Sequence, residues 1–152
     1  MEPAVETAEG GGSASSGFLY RLMDRPRWVR LWTLLGFWAA MFALTHWPEL
    51  DDLLPDADWL PMSDKIIHFT MFAGWMTAWW WLLSASRPRV GGVLLAKVLA
   101  GGACYAAFDE LTQALVARDP DLSDWLADLA GMSAALVVLL YARRRRTAAE
   151  SA

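Results

Sequence analysis

Residues 66–86 read IIHFTMFAGWMTAWWWLLSAS, and only His68 interrupts their apolar character. Strands usually run about 5–6 residues, whereas a helix needs roughly 20 to cross the hydrocarbon of a bilayer, so this run reads as a spanning helix. Three further segments have the same character. Leu31 to Trp47 is uncharged throughout, Val90 to Phe108 contains only Lys97, and Trp125 to Tyr141 contains only Asp128. A helix satisfies its own backbone hydrogen bonds, which is the condition for crossing lipid. The expected fold class is therefore all-α, an integral membrane four-helix bundle. Its transmembrane domain occupies residues 28–142, flanked by a tail at 1–27 and a basic tail at 143–152.

Composition agrees with a membrane chain. Of 152 residues, 56% are hydrophobic and 20% charged, against about 45–50% and about 25% in soluble domains. A net charge of −4 argues against a nucleic-acid partner, which needs a basic face. The single cysteine, Cys104, excludes an internal disulfide and any cysteine-based metal cluster, and reads as a structural apolar residue. The first 17 residues carry Glu2, Glu6 and Glu9 and then a Gly/Ser/Ala run. A cleavable signal peptide opens with basic residues, so this stretch reads as a disordered acidic tail.

Charge orients the bundle. Arg21, Arg25, Arg27 and Arg30 precede the first segment, Arg87 and Arg89 join the second to the third, and Arg143 to Arg146 follow the fourth. These positions hold most of the thirteen basic residues, while the other two connections hold most of the seventeen acidic ones. The positive-inside rule then puts both termini in the cytoplasm. Trp28, Trp32, Trp47, Trp59 and Trp125 near segment ends, and Trp79 to Trp81 toward the cytoplasmic end of the second, read as interfacial anchors. Lys97 lies close enough to the inner surface to snorkel there, and Gly74, Gly91, Gly92, Gly101 and Gly102 read as packing positions.

The remaining polar residues gather at the outer ends of the helices. Asp64 and His68 are spaced i, i+4 and share a helix face, with Lys65 on a neighbouring one. Asp109, Glu110 and Gln113 close the third segment, Asp124 and Asp128 open the fourth, and Arg118 lies between them. Ser63 and Ser123 read as helix N-caps. Ionised side chains at membrane depth cost roughly 2.5–3.5 kcal/mol on insertion scales, so such a set faces the bundle interior and pairs. Two readings stay open: a polar clasp fixing helix register, with Arg118 and Lys65 neutralising the acids, or a functional site.

In their order, Ser63-Asp64-Lys65-Ile66-Ile67-His68-Phe69, Asp109-Glu110-x-x-Gln113, Arg118, Asp124-x-x-x-Asp128 and Gly131 resemble the VanZ-like family of small bacterial membrane proteins. The resemblance covers residues 30–142. It departs at Asp128, where the family often holds asparagine, and at Ala117, where glycine commonly precedes the arginine. It implies a bacterial cytoplasmic (inner) membrane location and a cell-envelope role linked to glycopeptide resistance of the teicoplanin type.

Three functions compete. A binding or accessory protein would recognise a lipid-linked headgroup or cell-wall precursor through Asp64, Lys65, Gln113, Arg118, Asp124 and Asp128. An enzyme acting on such a molecule would use His68 and Glu110 as acid and base. A channel or transporter finds less support, because no internal repeat or broken-helix pair is visible. No cofactor is predicted; a divalent metal on His68, Glu110 and Asp128 is the alternative. The expected partners are membrane lipids and lipid-linked precursors, with oligomeric state left open.

Overall fold

The computed structural model describes residues 25–47, 63–85, 90–116 and 119–150. Four helices occupy most of these residues: α1 (Arg27–Thr45), α2 (Ser63–Ser84), α3 (Gly92–Gln113) and α4 (Leu122–Glu150). A 3-10 turn, Ala114–Val116, closes α3, and no strand occurs among the described residues. The tail up to residue 24, the acidic connection 48–62, the turn 86–89 and the pair 117–118, including Arg118, lie outside the described residues.

Three helices are long and apolar enough to cross a membrane: α1, α3 with its 3-10 turn, and α4. Four such segments were expected, and α2 falls short on composition alone. At 22 residues α2 has the length, but its tryptophans and threonines count as polar on a hydropathy index, however much apolar surface an indole carries. The longest helix among the described residues, α4, has 29 residues and runs on through the arginines, so residues 143–150 of the basic tail are helical.

Packing makes α2 and α4 the central pair. α1 lies against α2, α3 lies against α4, and α1 meets α3 at only a few positions. Gly131 is what lets α2 and α4 approach. A Cβ built there would fall on the Phe69 carbonyl oxygen and within 2.9 Å of its carbon, both rigid backbone atoms of α2. Gly102 on α3 serves similarly, since a Cβ built there would meet Met132 and come within 2.7 Å of the Trp75 ring, whereas Gly91, Gly92 and Gly101 face open space. Only part of the expected glycine packing is therefore realised.

The buried core runs along the bundle axis through Leu34, Met41, Phe72, Trp75, Met76, Ala106 and Met132. An aromatic group crosses it: the Trp38 ring meets Trp75 edge-on at 6.1 Å and Tyr105 at 4.9 Å. Large apolar side chains such as Trp32, Val93, Leu111 and Val137 are exposed on the outside, an arrangement that water penalises and lipid accepts.

Several aromatic residues hold helices together rather than only anchoring them. At the basic end, Arg30 is buried, donates to the Trp81 carbonyl at 2.8 Å and to the Arg25 carbonyl at 2.9 Å, and lies over the Trp81 ring. Arg143 lies over Trp80, tying the end of α4 to α2. The Trp125 indole donates to the Ala103 carbonyl of α3 at 3.1 Å. Trp125→Phe is expected to lower stability by about 1 kcal/mol, the net worth of one hydrogen bond, read from SDS-titration unfolding in detergent micelles.

Candidate functional site

Opposite the basic end, where α1 and α3 finish and α2 and α4 begin, the buried stripe of each helix turns polar. On α2 the stripe that carries Phe72 and Met76 continues to His68, four residues earlier. On α4 the same spacing leads from Met132 to Asp128 and Asp124, and on α3 from Ala106 to Asp109, Glu110 and Gln113. The helical period that buries the core thus carries these polar groups inward.

Nearest the rim sits Lys65, whose ammonium donates to Asp124 at 2.6 Å, Asp121 at 3.1 Å and Asp64 at 3.4 Å. Asp64 itself is about half exposed. Deeper, the His68 imidazole is 3% exposed, and its Nδ1 lies 3.0 Å from Asp128 Oδ1 and 3.8 Å from Glu110 Oε1. Toward α1, Asp109 accepts from Thr45 at 3.1 Å, and His46 Nε2 lies 2.9 Å from the Thr112 hydroxyl. Gln113 joins the halves, its amide donating to both Asp109 and Glu110 at 3.4 Å.

The loop before α4 closes the arrangement. The Asp121 amide donates to Glu110 Oε2 at 3.0 Å. The Asp121 carboxylate accepts from the Ser123 hydroxyl at 2.6 Å and from the Ser123 amide at 2.8 Å. Those two bonds, with Lys65 beside them, hold the Asp121 carboxyl below its ordinary value, at about 2. Asp121, not Ser123, is the residue that caps α4.

The structure brings Asp64, Lys65, His68, Glu110, Gln113, Asp124 and Asp128 to one end of the bundle. One expected relation changes and one of two open readings is met. Asp64 lies 3.9 Å from His68 Nε2, beyond hydrogen-bonding distance, so the carboxylate that orients the imidazole is Asp128. Lys65 is engaged by three carboxylates, Asp124 among them as the clasp reading expected, and does not present a free ammonium to an anion. Thr45, His46 and Asp121 were not singled out from the sequence, and Asp109 was not placed among the site residues. The readable signal was the alternation of helix direction, which brings the polar pair closing the first segment to this same end.

Two sets of three side chains offer donor atoms all within 4.8 Å of one another: His68, Glu110 and Asp128, and Asp64, His68 and Asp124. The geometry suits binding a cation or moving a proton between imidazole and carboxylate. No family model, curated protein or solved structure matches the chain.

Proposed function

We propose that this is a VanZ-like protein of the bacterial cytoplasmic membrane, with both termini in the cytoplasm and the acidic end outside. There it binds a lipid-linked headgroup or cell-wall precursor, in a cell-envelope role linked to teicoplanin-type resistance. Support for the orientation comes from the separation of charge, with Arg25, Arg27, Arg30 and Arg143 to Arg145 at one end and the carboxylates at the other. α2 completes the membrane bundle because it packs between helices that are themselves apolar enough to span.

One observation carries the reading: His68, Asp109, Glu110, Gln113, Asp124 and Asp128 are all buried at one end of a bundle whose other buried polar side chains, among the described residues, are Thr45 and, at the opposite end, Arg30. An apolar core would hold helices together at least as well, so a buried ionisable set of this size points to a ligand. The test is complementation of a deletion strain, scoring glycopeptide susceptibility and lipid-linked precursors. Arg118→Ala is expected to reach the membrane at wild-type abundance and lose the phenotype. Retained function in that variant would overturn anion binding by this residue.

A second reading, an enzyme acting on the same class of molecule, draws on the His68–Asp128 hydrogen bond with Glu110 Oε1 3.8 Å from the same Nδ1. Mass spectrometry of membrane lipids separates the two. A species that changes on deletion and returns with wild type but not with Glu110→Gln supports catalysis.

A further inference from the structure

Of the two donor sets, the rim one already has its cation. Asp124 and Asp64 both lie against the Lys65 ammonium, at 2.6 and 3.4 Å. The deeper set has none among the described residues. Glu110 and Asp128 are 6% and 1% exposed, and among the described residues neither touches a lysine or arginine. Their partners are the His68 ring, the Asp121 amide and the Gln113 amide. Asp128 meets the imidazole through Oδ1, and His68 Nε2 lies 3.9 Å from Asp64 Oδ1. Buried carboxylates are normally paired with a cation or bound to a metal.

We infer that His68, Glu110 and Asp128 hold one divalent transition-metal ion of the Mn2+ or Zn2+ class. Bonds of about 2.0–2.2 Å to nitrogen and oxygen place cis ligands roughly 3–3.5 Å apart. His68 Nδ1 stands 3.0 Å from Asp128 Oδ1 and 3.8 Å from Glu110 Oε1, close to that spacing before any ion draws them in. One imidazole with two carboxylates and no thiolate selects Mn2+ or Zn2+ over Cu+. Cys104 is exposed on the outside of α3 and takes no part. Gln113 and the Asp121 amide hold Glu110 from behind, the kind of support that orients a metal ligand. Three protein ligands leave coordination positions for water or for an anionic oxygen. An acidic site thereby gains a way to bind phosphate or carboxylate without a free lysine.

The test uses the full chain purified in detergent micelles, stripped with a chelator and titrated with Mn2+. Loss of the aquo-ion electron paramagnetic resonance signal counts bound Mn2+, and metal analysis after gel filtration counts Zn2+. One ion per chain is expected. The double variant Glu110→Gln/Asp128→Asn, which keeps side-chain shape, should weaken binding at least about 100-fold, the upper range for losing mere ligand support. Gly36→Ala, on the open side of α1, should bind as wild type does. Absence of stoichiometric binding in wild type overturns the site, and so does binding that survives the double variant. Complementation by wild type without metal binding would remove the ion and leave the envelope role. Metal binding by a protein whose deletion changes nothing in the envelope would do the reverse.

Discussion

Gly131→Ala is expected to destabilise the bundle by about 2–3 kcal/mol, and Gly131→Leu to prevent its assembly. The added carbon would fall on the Phe69 carbonyl, a backbone group inside α2 that has no rotamer with which to move away. Relief requires separation of α2 from α4, the most extensive helix contact among the described residues. That separation reaches the site, because Lys65–Asp124 and His68–Asp128 both bridge the same two helices. Site and stability should therefore fail together. Gly36→Ala provides the contrast, since nothing lies within 4 Å of the atom it adds. It should be neutral or stabilising by roughly 0.5–1 kcal/mol, as expected for glycine replaced within a helix. Unfolding in detergent micelles, followed by circular dichroism against SDS, measures all three. A Gly131→Ala protein as stable as wild type would show that α2 and α4 do not approach this closely.

Breaking the buried imidazole–carboxylate pair on one side should cost more than replacing both partners. Asp128→Ala leaves His68 buried without the bond to Nδ1, and such half-removed pairs lose about 3–5 kcal/mol. The double variant His68→Leu/Asp128→Leu removes the need for pairing and fills the space, and should lie within about 1–2 kcal/mol of wild type. Glu110 keeps its bonds from the Asp121 and Gln113 amides in both proteins. The comparison separates a clasp from a functional site. Were the pair only a clasp, the stable double variant would complement a deletion strain. The expected result is a folded, membrane-inserted protein that neither complements nor binds a divalent ion. Double-variant stability as low as that of Asp128→Ala would mean that the polar pair itself holds α2 to α4.

Helix identity was legible because it depends on local properties. Long runs with almost no charge in residues 31–47, 66–86, 90–108 and 125–141 leave a chain few alternatives to helices, and helices formed over each of them. The separation of arginines from carboxylates was equally plain, because charge is counted along the chain. The i, i+4 spacing of Asp124 and Asp128 and the i, i+3 spacing of Glu110 and Gln113 placed these groups on shared faces, and both pairs are buried on those faces.

Partners could not be read in the same way. Spacing along α2 made Asp64 the natural companion of His68, yet the imidazole meets Asp128, sixty residues away, because Gly131 draws α4 against α2 at that height. Lys65 could be read either as a clasp on the acids or as a ligand for an anion, and the approach of Asp121 and Asp124 on the α4 side decided for the clasp. Thr45 and His46 joined the site because α1 ends beside α3, a neighbour relation no periodicity encodes. The sequence by itself determined four helices, their order and the polar end of each, since these follow from side-chain chemistry and helical pitch. Only the packing of the helices decided which carboxylate orients the imidazole and which carboxylates meet Lys65, because pairing depends on the distance between backbones.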